Sequence, residues 1–78
     1  MAMHRFKVLL EWDPESEAWV TYVPALDHLS TFGATRDEAL ANTQEAILGW
    51  IEAAEKEGLP VPRGSPKLEL VDLEVATA

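Results

Sequence analysis

The segment Thr35–Glu57 constrains the fold more than any other part of this sequence. Leu40, Thr43, Ile47, Trp50 or Ile51, and Ala54 recur at three- and four-residue spacing, which places them on one side of an α-helix. Thr35-Arg36-Asp37-Glu38 fits a capping box, the Thr35 side chain accepting from the Glu38 amide and the Glu38 side chain reaching back. Asp37 and Glu38 also put negative charge at the positive end of the helix dipole, and Lys56 and Gly58 suit its other end. A helix over 35–57 is about 34 Å long. In a chain of 78 residues such a rod leaves room for one domain, 1–78, and its apolar stripe must rest on a sheet or a partner.

The remaining residues read as strands. From His4 to Trp12 the pattern alternates, with Phe6, Val8, Leu10 and Trp12 on one side, Arg5, Lys7 and Glu11 on the other, and Leu9 the exception. Asp13-Pro14-Glu15-Ser16-Glu17 supplies a five-residue turn, and Ala18–Val23 returns as a strand rich in β-branched and aromatic residues. Pro24 ends it, because proline has no amide hydrogen for a ladder. Leu29–Gly33 is a short third strand. Beyond the helix, the proline-rich run from Leu59 to Pro66 is a stiff connector, and Lys67–Val75 reads as a last strand. Its apolar residues switch phase, from Leu68 and Leu70 to Val71, Leu73 and Val75, which suits a strand covered on both faces. The expected order is β-β-β-α-β, an α+β domain with one long helix on a three- to four-stranded sheet. By the same alternation the uncovered face carries Leu9, Trp19, Thr21 and Val23, a surface apolar enough to predict a homo-oligomer, a dimer or tetramer.

Composition excludes several classes of function. Fourteen acidic residues against six basic ones give a net charge of −8, opposite to the clustered Lys and Arg of a nucleic-acid binder. With no cysteine there is neither a disulfide nor a thiolate ligand. The start of the chain is too short in apolar residues and too polar for a signal peptide, and no run is long enough to span a membrane. The expected location is the cytoplasm.

Catalytic patterns are missing. His4 and His28 share no ligand motif, and Ser16, Ser30 and Ser65 have no nucleophile-elbow context. Glu11, Asp13, Glu15 and Glu17, with Asp27 in the next loop, read as a solvated tip; the sharper alternative is a metal-dependent nuclease using Glu11 and Asp13. The expectation is no enzyme, no cofactor and no bound metal. Trp12 and Trp19 flank the turn and suit a cross-strand pair, Trp50 suits the core, and Trp19 and His28 are the candidates for partner contact.

Tyr22-Val23-Pro24-Ala25-Leu26, Thr31-Phe32-Gly33-Ala34-Thr35, Asp37-Glu38-Ala39-Leu40, Asn42, Glu45-Ala46-Ile47 and Gly58-Leu59-Pro60-Val61-Pro62 together resemble the HicB-like antitoxin family, from about Phe6 to Pro62. The resemblance implies a truncated ribonuclease H-like fold and a partner, a small basic HicA-type toxin whose mRNA cleavage the domain blocks. The motif positions Pro24, Leu26, Thr31, Gly33, Thr35, Glu38 and Ala39 read as structural. Asp27-His28-Leu29 replaces the family's Pro-Gly-Cys, which predicts loss of its tight turn. The family's DNA-binding segment has no counterpart before Ala78, so no direct DNA binding is expected. The leading functional expectation is a stand-alone antitoxin-like binding protein; the alternatives are the residual nuclease and a self-assembling structural protein without a toxin partner. Acidity is greatest over residues 35–58, at −4, against −3 over 1–34 and −1 over 59–78.

Overall fold

A computed structural model describes residues 3–78. Met1 and Ala2, which belong to the segment read as carrying no leader, lie outside the described residues. Three antiparallel strands, β1 (Leu9–Asp13), β2 (Ala18–Val23) and β3 (Leu29–Gly33), form a sheet in the order β1-β2-β3, and one helix, α1 (Arg36–Lys56), follows. A short 3-10 turn, Pro24–Leu26, joins β2 to β3.

The helix starts and stops where local chemistry directs. Thr35 is the N-cap and accepts from the Glu38 amide at 3.1 Å. No reciprocal bond from the Glu38 carboxylate is seen among the described residues, so half of the capping box is formed. At the other end Gly58 takes φ +69, and the Gly58 and Leu59 amides donate to the carbonyls of Glu55 and Ala54. That pattern satisfies orphan carbonyls with a left-handed residue that glycine adopts without steric cost.

The hairpin differs from the sequence reading in one consequential way. Asp13 pairs with Ala18, so the loop is the four residues 14–17, with Glu17 left-handed at φ 51. Each β1–β2 pair therefore joins an even position to an odd one: Leu10 faces Thr21 and Trp12 faces Trp19. Trp19, Thr21 and Val23 thus share the face of Leu10 and Trp12, and Thr31 and Gly33 continue it on β3. This face meets α1. The face opposite the helix carries Leu9, Glu11, Val20, Tyr22 and Phe32, which replaces the predicted set Leu9, Trp19, Thr21 and Val23.

The core sits between β2, β3 and the helix. Val23, Leu26, Ala39, Ile51 and Ala54 are buried. Trp50, expected in the core, is half-buried. At Gly33 the strand and the helix touch backbone to backbone: a Cβ there would collide with the Ala39 nitrogen and stand 2.8 Å from its Cα. The buried hydroxyls of Thr21 and Thr43 meet at 2.6 Å, and Thr43 also donates to the Ala39 carbonyl at 2.7 Å.

The predicted last strand is not formed. Residues 59–78 carry no helix or strand, and Leu70, Leu73 and Val75 are 82–95% exposed. Alternation alone does not make a strand; it needs a neighbour to bond, and no edge of this chain's own sheet takes Lys67–Val75. The radius of gyration is 15.3 Å, against about 11–12 Å for a compact chain of this length. The excess reflects that projecting segment.

Candidate functional site

Two surfaces stand out. The first is the outer side of α1. Glu38, Glu45 and Glu52 recur every seven residues and are exposed, opposite the buried Ala39, Thr43, Ile51 and Ala54. Asp37 and Glu55 flank this ridge, and Leu48, 56% exposed, interrupts it with an apolar side chain. Segment charge assigns the largest share of the acidity, −4 of −8, to the helix without singling out these residues; their seven-residue spacing is the signal that could find them.

The second surface lies along β1. Because α1 packs along β3 and β2, the helix-facing side of β1 and of the residues leading into it is only partly covered. Phe6, Val8, Leu40, Ile47, Leu48 and Ile51 line a cleft of about 450 Å³ there. On the other face, Lys7, Leu9, Tyr22, Pro24 and His28 form a hollow bordered by Leu68, Glu69 and Leu70. The Lys7 amide donates to Ser65 Oγ at 2.6 Å, which ties the connector to this strand.

The residues singled out in the sequence fall as follows. Pro24 opens the 3-10 turn, and Leu26, 1% exposed, plugs the end of the core. Thr31 supplies a carbonyl to the Thr21 hydroxyl at 3.3 Å. Gly33, Thr35, Glu38 and Ala39 make the strand-to-helix junction described above. Trp19 pairs edge-to-face with Trp12 across the hairpin, their rings 5.6 Å apart at 62°. Trp19 and His28 sit at opposite ends of β2, so the structure does not bring the two partner-contact candidates together. The tight turn predicted to be lost is kept. Asp27 and His28 both adopt left-handed backbone, φ 55 and 58, in place of the family's glycine. That conformation strains a residue with a Cβ.

The hairpin carboxylates serve the turn. Asp13 accepts from the Glu15 amide at 3.1 Å and from the Ser16 hydroxyl at 2.8 Å. Those bonds, the Ser16 hydroxyl foremost, lower the Asp13 pKa below its ordinary value of 3.8. Tyr22 donates to Glu11 at 3.4 Å. Among the described residues no group of three or more His, Asp or Glu side chains converges to hold a metal ion. No helix among them is long and apolar enough to cross a membrane.

The fold and its surfaces define a small α+β domain, one helix on a three-stranded antiparallel sheet, whose salient features are faces. The chain is 39% identical over 59 residues to UPF0150 protein Ta0767 of Thermoplasma acidophilum, an overlap covering 76% of this chain and 84% of that protein. The chain belongs to the UPF0150 family, the HicB-like family. No family model matches it. No solved structure matches it either.

Proposed function

We propose that this chain is an antitoxin-like binding protein that neutralises a small basic HicA-type toxin by protein–protein contact. Its kinship with the UPF0150 protein supports the class, and the observation that carries the choice of surface is the ridge of Glu38, Glu45 and Glu52 around Leu48. Acidic side chains on one side of a rigid helix speed the encounter with a basic partner and orient it, while Leu48 and its neighbours supply desolvated contact. The same charge repels phosphate, so the proposed ligand is a protein rather than DNA or RNA. The proposed action is occlusion in the cytoplasm, where the toxin would meet mRNA, with no catalytic step by this chain. We read the strand-strand-strand-helix order as the truncated ribonuclease H-like plan that the family resemblance implies, without its catalytic carboxylates.

Calorimetric titration against a HicA-type protein from the same genome tests the reading. Binding at submicromolar Kd, weakened roughly tenfold or more by Glu45→Lys with Glu52→Lys and by added salt, is the expected result. Absence of binding at micromolar concentration and low salt overturns it.

A further inference from the structure

We propose that the recess between Arg5–Lys7, which lead into β1, and Arg63–Ser65 of the connector binds a phosphomonoester, the phosphate group of a small molecule of nucleotide size. Charge in this chain is sharply divided. Residues 3–10 and 58–68 contain none of the fourteen acidic residues, yet they hold Arg5, Lys7, Arg63 and Lys67, four of the six cationic ones. The fold joins these two stretches across 58 positions of sequence, the Lys7 amide donating to Ser65 Oγ at 2.6 Å. A chain of net charge −8 thereby builds a cationic island.

Arg5, Phe6, Lys7, Arg63, Gly64 and Ser65 line a recess of about 450 Å³ on this island, and no carboxylate is among its walls. The three cationic side chains are exposed, and Gly64 and Ser65 are half-buried. Long charged donors thus surround a stretch of backbone that the Ser65 bond holds in place. Ser65 adds a donor of its own. Its oxygen accepts from the Lys7 amide, so its proton remains for a second acceptor. At Gly64 an added Cβ would meet nothing within 4 Å, so the connector is open to close approach by a ligand.

The donor set favours phosphate over carboxylate. Two guanidinium forks, an ammonium and a hydroxyl come from two separate segments. A planar carboxylate is satisfied by a single fork, whereas a tetrahedral phosphate presents three terminal oxygens and close to two charges, and takes donors from several directions. The recess is wider than inorganic phosphate needs, and Phe6 gives its wall an apolar part, which suits the organic body of a phosphomonoester. The acidic remainder of the chain opposes any anion at long range, so binding is weak, salt-sensitive and confined to this island. None of Glu38, Glu45, Glu52 and Leu48 takes part, so phosphate binding and toxin binding can fail independently.

Titration of the full chain with adenosine 5′-monophosphate at low ionic strength, followed by amide NMR, is expected to shift Arg5 to Lys7 and Arg63 to Ser65 and to saturate with a Kd on the order of 0.1–1 mM. Inorganic phosphate should shift the same amides more weakly, and adenosine should shift none of them. Arg63→Glu is expected to weaken binding roughly tenfold or more. Arg36→Glu alters the net charge equally but at the start of α1, and should change the Kd by less than about twofold. Both positions are exposed, so the helical circular dichroism should be unchanged in either variant. A 5′-phosphorylated RNA trinucleotide that binds more tightly than the mononucleotide assigns the phosphate to an RNA end; equal or weaker binding assigns it to a free nucleotide. Shifts that never saturate, equal losses for the two charge reversals, equal binding of the 5′-hydroxyl trinucleotide, or saturable binding of a glutamate-rich peptide but of none of the phosphate compounds overturns the proposal.

Discussion

Thr21 on β2 and Thr43 on α1 bring their hydroxyl oxygens to 2.6 Å inside the layer between sheet and helix. Each hydroxyl has a single proton and a carbonyl within reach, Ala39 for Thr43 at 2.7 Å and Thr31 for Thr21 at 3.3 Å, so either one can donate across the contact between them. The result is a short relay from strand to helix backbone, fully buried at Thr21 and 2% exposed at Thr43. It fixes the axial position of the helix on β2, a specification that an apolar contact would leave looser.

Thr21→Val and Thr43→Val should each destabilise the fold by about 1 kcal/mol, since each strands part of a buried hydrogen-bonding pair. The double variant should cost less than the two added together, because both polar partners then disappear. Urea denaturation of the four proteins measures this. Strict additivity would show that the hydroxyls are not coupled.

Gly33→Ala should be far more damaging than its size suggests. The new methyl would strike the Ala39 backbone, which cannot rotate away as a side chain can. A loss of at least about 2 kcal/mol is expected, read as a Tm drop of roughly 10 °C or more. Gly49, where an added Cβ meets nothing within 4 Å, is the control: Gly49→Ala should raise Tm, since it removes a flexible residue from a helix interior.

Thr35→Ala removes the side chain that accepts the Glu38 amide and should cost about 1 kcal/mol. Thr35→Asp should restore most of it. Because the Glu38 carboxylate makes no return bond to Thr35, Glu38→Ala should cost only its favourable charge at the helix start, about 0.5 kcal/mol; a loss as large as that of Thr35→Ala, restored by Glu38→Gln, would establish a complete capping box in solution.

Asp13 has its carboxylate held ionised by Ser16 and the Glu15 amide, so its folded pKa lies below the unfolded value. A depressed carboxylate pKa contributes stability above the unfolded pKa and loses it as pH falls through the folded one. The window is therefore below about pH 4. An NMR titration should place the Asp13 midpoint under 3.8, and Ser16→Ala should move it upward. A midpoint unaffected by Ser16→Ala would remove the hydroxyl as the main cause.

Elements governed by short-range chemistry are legible in the residues themselves. The helix ends follow from Thr35 and Gly58, and β2 and β3 lie at the predicted residues, because caps, prolines and alternation act within a few positions of themselves. The candidate partner residues are less legible. Trp19 and His28 stand at opposite ends of β2, whereas the ridge of Glu38, Glu45 and Glu52 is written in their seven-residue spacing and the fold adds that it faces solvent.

The amino-acid order alone dictates β2, β3 and the helix, the net charge and the kinship with HicB-like proteins; of the first strand, read from His4 to Trp12, only Leu9–Asp13 forms, because residues 3–8 bond no neighbouring strand. Tertiary structure decides which way the strands face. Leu10 opposite Thr21 depends on a loop of four residues rather than five, and that one-residue difference puts Trp19, Thr21 and Val23 under the helix. The fold also decides the fate of Lys67–Val75. A strand is defined by hydrogen bonds to a neighbour distant in sequence, and the chain's own sheet offers this segment none. The alternation of Val71, Leu73 and Val75 therefore remains written in the residues and unpaired in the fold.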